Sequence, residues 1–501
     1  MNRQPGLSKS RILSHRQCPK RLWLQVYRPE LAEEAGDRQA MLVVGNQVGE
    51  VARSLFPGGL LIESDDLSRA QRETAAALAI RPRRTLFEAT FSHQKVLVRA
   101  DILHPAGNGY RMAEIKASSQ VKPYHMEDAA IQSWVLRETG VRLHRVEIGH
   151  INREFIYPGG GDYRGLFSYK EVSKEVKALH QEVAGWVREA RRTLARAESP
   201  ETEPGSQCQE PFPCPFVGHC DPTPTVEPRV CDLAVLPRSP KMLETLQTEG
   251  FTSLRQVPPE RLNNPRHRRM QQAIIAGRPV IEPEAGEFLR ALPYPRYYLD
   301  FETMQFAVPV WTGTGPYRQI PFQWSCHVEK KPGGRLQHFG FLAEGHENPC
   351  RELVAALLET VGHQGSIFVY SPFEQQRLAE MAANLPSRMA MEVTKVIGRL
   401  VDLLPLTRNN YYHPEMRGSW SLKAVLPTIA PDLDYTSLAV SDGLMAQVAF
   451  QETMHPETTA PRKHELRKQL IEYCHQDTLA LVRLVHFLME SKPCRQKSTM
   501  P

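Results

Sequence analysis

No run of apolar residues in this chain of 501 is long enough to cross a bilayer, which sets aside a helical membrane span. The opening stretch, MNRQPGLSKSRILSHRQCPKRLW, is basic but has no apolar core, so it does not read as a signal peptide. There is no internal repeat, which excludes a solenoid, and no long low-complexity tract. Charge of one sign is also scarce. Lys and Arg number 62 against 56 Asp and Glu, a net +6 that does not by itself indicate nucleic acid. What is present, an apolar fraction of 41% over a length that exceeds one ordinary core, predicts a globular cytoplasmic protein of two domains and a connector.

There are 9 cysteines, and in a reducing compartment they are expected as ligands or buried thiols rather than disulfides. Cys231, Cys326, Cys350, Cys474 and Cys494 show no ligand spacing and read as structural. Cys208, Cys214 and Cys220 differ. They recur every six residues in CQEPFPCPFVGHC, among prolines and aromatics that suit a loop turning sulfurs toward one point. A tetrahedral site needs a fourth ligand, and none follows nearby. Basic clusters at 81–84 (RPRR), at 266–269 (RHRR) and at Arg188, Arg191, Arg192 and Arg196 on one expected helix read singly as solvated faces.

Residues 1 to about 225 read as one α/β unit. A helix is expected near 45–56, strands at 85–91, 95–103 and 110–117, a helix at 126–139, a strand at 145–151 and a long helix at 170–197. The Pro-rich stretch 226–290 predicts two short helices around Gly250, either a spacer or a hairpin that contacts nucleic-acid backbone. A second α/β unit spans 291–492, with strands in YYLDFETM, IPFQWSCHV, QHFGFLA and SIFVYS, a helix from Phe373 and a last helix over 464–490; the tail KPCRQKSTMP is expected to fray.

Two sets of acids carry the chemistry. Asp101 ends an apolar strand; Glu114 and Lys116 are two apart on the next, so they share a face. Carboxylates at such a place bind Mg²⁺ or Mn²⁺ through hard oxygens, and a lysine beside them offsets charge on a phosphate. In the second unit Asp300 and Glu302 share a strand face in LDFET. Glu374 follows Phe373 in VYSPFEQQRL, and Tyr473 and Asp477, four apart in YCHQD, fall on one helix face. Asp402 is a further acid, expected to be structural or supporting.

Asp101 followed by Glu114-x-Lys116 resembles the PD-(D/E)XK nuclease signature, and Gln132 in EDAAIQSWVL matches the glutamine motif of its RecB-like branch. That branch and related iron–sulfur nucleases place one cysteine before the core and three after it. Here these are Cys18 and then Cys208, Cys214 and Cys220. The resemblance implies a [4Fe–4S] cluster clasping the ends of the domain, with structural Zn²⁺ as the alternative. Two positions depart from the pattern: Gly49 stands where the branch has a histidine, with Glu50 and Glu88 as substitute acids, and Leu136 stands where a tyrosine is usual. The second set resembles the DEDD exonucleases of RNase H-like fold, tyrosine subtype, with Glu374 in place of the usual aspartate. GSWSLKAVL at 418–426 resembles the segment that follows their second motif.

Through LSKSRILSHRQCPKRLWL, LVRADIL, LDFETM, IPFQWS and GSWSLKAVLP the chain resembles a bacterial family that joins these two domains. The resemblance implies a PD-(D/E)XK restriction-endonuclease-like domain at 1–225, a helical connector at 226–290 and an RNase H-like domain at 291–492. It implies a nuclease using Mg²⁺ or Mn²⁺; the substrate is not set by the resemblance, and the reading taken is action on DNA, with no membrane partner. The alternatives are an RNA exonuclease using the second site alone, and a nucleic-acid-binding module without catalysis.

Overall fold

The computed structural model describes residues 6–33, 36–220, 233–236, 240–435 and 437–490. Cys231, Cys494 and the tail KPCRQKSTMP lie outside them. The chain is mixed α/β and forms two compact units, Met1–Thr225 with Phe306–Tyr317, and Val226–Gln305 with Arg318–Pro501. Among the described residues no helix is long and apolar enough to cross a membrane.

The first unit is built on a sheet of strands β1 (Leu7–Ser8), β2 (Leu60–Leu61), β3 (Leu86–His93), β4 (Val96–Ala106), β5 (Gly109–Lys116), β6 (Leu143–Ile151) and β7 (Phe167–Glu171). Strands β2 to β7 lie in sequence order, and β1 pairs parallel with β4. The alternation of β4 explains its place: Val96, Val98, Ala100 and Ile102 are buried while Leu97, Arg99 and Asp101 between them are less so. Helices Pro123–Glu138 and Ser173–Leu194 cover one face through Ile131, Val135, Val183, Trp186 and Val187. Phe87, Ile102, Phe155 and Phe167 form a separate core with Ala307 and Val308.

Three local expectations need correction. The helix expected near 45–56 begins earlier, spanning Gly36–Ser54. The cysteine stretch is not all loop, since it holds a 3-10 turn at Ser206–Cys208 and one helical turn at Val217–Cys220, on either side of Pro211, Pro213 and Pro215. Arg196 lies past the end of the helix that carries Arg188, Arg191 and Arg192.

The strands of the second unit are a short β8 (Val280–Ile281) and then a sheet of β9 (Arg296–Gln305), β10 (Gln319–Glu329), β11 (Leu336–Leu342), β12 (Ser366–Val369) and β13 (Leu400–Asp402); β14 (Tyr411–Tyr412) pairs with β8. The sheet order is β11-β10-β9-β12-β13. Strands β9, β10 and β11 make an antiparallel meander, and β12 and β13 add in parallel beside β9. Along β9, Tyr297, Leu299 and Phe301 enter one core, with helices Cys350–Val361, Phe373–Ala382 and Ser387–Ile397. Tyr298 enters another, with Leu481, Val485 and Leu488 of helix Ala460–Glu490. Residues of the 226–290 stretch share that second core: Leu254, Val257, Leu262, Met270 and Ile274 bury together with Tyr298 and Phe368. After helix Pro240–Thr248 and Gly250, at φ +88°, the expected partner helix is only a 3-10 turn, Leu254–Gln256, because Pro258 and Pro259 stop it.

Candidate functional site

Period-two alternation in β9 puts Asp300 and Glu302 on the face that carries Tyr298, against helix Ala460–Glu490. That helix presents Tyr473 and Asp477 one turn apart. Asp300, Glu302 and Asp477 each offer an oxygen within 4.8 Å of the others. Glu374 sits in the first turn of helix Phe373–Ala382, after the fourth strand of the sheet; it is buried, and its Oε2 has no hydrogen-bond partner. It stands outside the close trio, yet its charge helps raise both Asp300 and Glu302.

Four carboxylates crowded away from water resist ionisation. Burial and then Asp477 push Glu302 up to about 8. Burial pushes Glu374 up to about 8, with Asp402 adding to it. Asp300 is raised well above the carboxylate range by burial and then by Asp477. Asp477 reaches only about 6: burial raises it, and hydrogen bonds from Tyr435 and Tyr473 and the charge of Lys423 restrain it. Asp402 caps helix Leu403–Asn410 by accepting from the Leu404 amide at 2.9 Å, a supporting role.

Residues missed by spacing complete the site. Tyr435 donates its hydroxyl to Asp477 Oδ1 at 2.6 Å. The Cys474 thiol, read from sequence as structural only, reaches Asp300 Oδ2 at 3.8 Å. Lys423, in the GSWSLKAVL segment, acts by charge on both Glu302 and Asp477. No sequence signal ties Tyr435 to Asp477, whereas Lys423 lies within a segment already marked. The trio suits a divalent ion, being all oxygen and mutually repelling when ionised, and Glu374 outside it adds a buried Oε2 with no partner.

In the first unit the register flanking Glu88, Asp101 and Glu114 sets these acids in one row across β3, β4 and β5. Glu88 takes φ +54°, a left-handed conformation unusual for its type, and its carboxyl is raised by burial, with Glu114 adding to it. Asp101 Oδ2 accepts from the Ile115 amide at 2.7 Å, and its carboxyl is pushed up to about 8 by burial and then by Glu114. Glu114 is buried with both oxygens engaged: Oε1 accepts from Lys9 at 2.6 Å and Lys116 at 2.8 Å, Oε2 from Gln132 at 2.5 Å. Asp128, one helical turn before Gln132, pairs with Lys116 and with Lys9 at 3.2 Å. Burial alone would raise Asp128, but the two ammonium groups hold it below the usual range. Lys9 and Asp128 were not singled out from sequence. Glu50 is exposed, Gly49 has Arg53 beside it, and Leu136 is buried in the core.

Cys18, Cys208, Cys214 and Cys220 line one small cavity with Lys20 and Arg21. Cys18 joins two helices, Lys9–Gln17 and Pro19–Tyr27, and the Cys214 amide donates to the Cys208 carbonyl at 2.8 Å. Burial raises the Cys214 and Cys220 thiols, and the neighbouring cysteines add to it.

Residues 297–421 match a domain of unknown function, DUF2779. The chain is 24% identical over 231 residues to an uncharacterized protein of Ureaplasma parvum, covering 41% of this chain and 32% of that protein. It is 22% identical over 213 residues to one of Mycoplasma genitalium and 27% over 218 residues to one of Mycoplasma pneumoniae, in each case 39% of this chain and 32% of the relative. The chain thus spans about a third of the length of the curated relatives it matches. No solved structure matches it.

Proposed function

We propose that the chain is a metal-dependent hydrolase of nucleic-acid phosphodiester bonds, with its principal active site at Asp300, Glu302, Glu374 and Asp477. The convergence of Asp300, Glu302 and Asp477 carries this reading. Its support is the pattern of the DEDD exonucleases: two acids on the first strand, a third opening the helix after the fourth, and Tyr473 with Asp477 on a late helix. Mg²⁺ or Mn²⁺ held there supplies Lewis-acid charge to the phosphate and acidifies the attacking water. The chain's own residues do the rest. Asp300, Glu302 and Asp477 hold the ion through hard oxygens, and the longer arm of Glu374 extends the set. Tyr473 orients the water, and Tyr435 keeps Asp477 in place. Lys423 brings positive charge to the bound strand.

The first unit is proposed as a second, PD-(D/E)XK-like site using Asp101, Glu114, Lys116 and Gln132. Both Glu114 oxygens are already engaged there, so Lys9 would have to withdraw for Asp101 and Glu114 to hold an ion. The four cysteines are proposed to hold a [4Fe–4S] cluster. The preference over structural Zn²⁺, which also takes four thiolates, rests on the one-plus-three cysteine order of the branch the chain resembles.

The test uses anaerobically purified full chain, end-labelled single- and double-stranded DNA and RNA, and Mn²⁺. DNA is expected to be trimmed faster than RNA. Asp300→Ala should slow trimming at least roughly 100-fold, and Lys116→Ala should remove only a second cutting mode. The hydrolase reading fails if cluster-loaded wild type cuts no strand; salt-sensitive binding without cleavage would then point to a binding module.

A further inference from the structure

A cleft of about 620 Å³ lies within the second unit, lined by Asn264, Arg266, His267, Tyr370, Arg408 and the turn 418–422. Its volume falls in the range of ligand sites. Its charge is one-sided: Arg266 and Arg408 line it and no carboxylate does among the described residues, while burial and then Arg266 lower the His267 ring and favour its neutral form. The first turn of helix Pro265–Ala276, capped by Asn264, faces it with the positive end of the helix dipole. His267 in that turn is only 3% exposed, and its Nδ1 is buried without a hydrogen-bond partner. The ring lines the cleft, and its unpaired Nδ1 leaves a buried donor or acceptor unmet beside it.

Both walls of the cleft run on to the carboxylate cluster. The wall at 418–422 continues into Lys423, whose charge acts on Glu302 and Asp477. Tyr370 on the other wall leads through Ser371 to Glu374, and its hydroxyl ties the walls by donating to the Trp420 carbonyl at 2.6 Å. We propose that this cleft seats a backbone phosphate of the nucleic-acid strand whose scissile bond lies at the carboxylates. The Arg408 and Arg266 side chains meet the phosphate, the His267 ring backs the site with a nitrogen that a small shift would turn toward it, and the hydroxyls of Ser419 and Ser421 sit at its rim. The proposal deepens the hydrolase reading and rests on it for the position of the scissile bond.

The test is fluorescence anisotropy of an end-labelled single-stranded oligonucleotide bound to the full chain in Ca²⁺, at several salt concentrations. Arg408→Gln should weaken binding about 10-fold and lower the salt slope by about 1. Ser419→Asp keeps a side-chain acceptor in the turn and adds a repelling charge, so it should weaken binding similarly; Ser419→Asn should do so far less. Unchanged affinity and slope in both Arg408→Gln and Ser419→Asp, at wild-type melting temperature, overturns the cleft. Hydrolysis of a nucleoside p-nitrophenyl phosphate by wild type scores the active site separately. If that ester is cut while the cleft variants bind normally, the cleft alone is wrong. If it is not cut while the variants lose affinity, the cleft stands and the hydrolase reading falls.

Discussion

In the absence of divalent ions the stability of the second unit should fall as pH rises. Glu302 is 8% exposed, and its folded carboxyl is pushed up from the ordinary 4.5 to about 8, by burial and then by Asp477. A carboxyl raised in the folded state contributes stability fully below about pH 4.5 and loses it as pH climbs through about 8. At 1.36 kcal/mol per pH unit the whole loss is about 5 kcal/mol, of which about 4 kcal/mol falls between pH 5 and pH 8. Glu374 is raised to about 8 within the same repulsion, so its share is not added in full. For a unit of this size 1 kcal/mol moves Tm by roughly 2–4 °C, so in EDTA the second transition should melt about 10 °C lower at pH 8 than at pH 5. Mn²⁺ at a hundred times its Kd should return about 2.7 kcal/mol at pH 8, and less at pH 5 where protons compete. Glu302→Gln should flatten the pH dependence and abolish most of the Mn²⁺ gain. The measurement is calorimetry of both proteins at the two pH values, with EDTA and with Mn²⁺. A flat response to pH in EDTA, or an equal Mn²⁺ shift in Glu302→Gln, refutes the reasoning.

Lys9→Met removes one of two ammonium groups that neutralise Glu114 and Asp128, and should cost the metal-free first unit about 3 kcal/mol while enlarging its stabilisation by Mn²⁺; chemical unfolding with and without Mn²⁺ measures both. An unchanged Mn²⁺ response would mean that Lys9 does not compete with an ion. Cys214→Ser should lose bound iron and expose the first unit to limited proteolysis, because Cys214 packs with Leu24 and Phe216 beside the other three cysteines. Full iron content in that variant would remove the cysteines as ligands of one cluster.

The sequence by itself determined those features that depend on spacing along one element. Acids two apart in LDFET had to share a strand face, Tyr473 and Asp477 had to share a helix face, and the apolar steps from Val176 to Val187 placed one long helix within a few residues of its observed ends. These are local consequences of periods 2 and 3.6, and no partner element is needed to read them. What only the tertiary structure decided are meetings between distant segments. Lys9 reaches Glu114 across 105 residues because β1 pairs with β4, the strand beside β5, and Lys9 opens the helix that follows it; nothing in LSKSRIL announces this. Glu88 joins Asp101 and Glu114 through strand register. Tyr435 finds Asp477 from a stretch with no regular element. The residues read as a connector bury their apolar side chains with Tyr298 and Phe368, because Pro258 and Pro259 cut short their own helix pairing and leave those side chains to a larger core. Periodicity shows which face of an element is apolar. Which other element covers that face is decided by the combined burial of the whole chain.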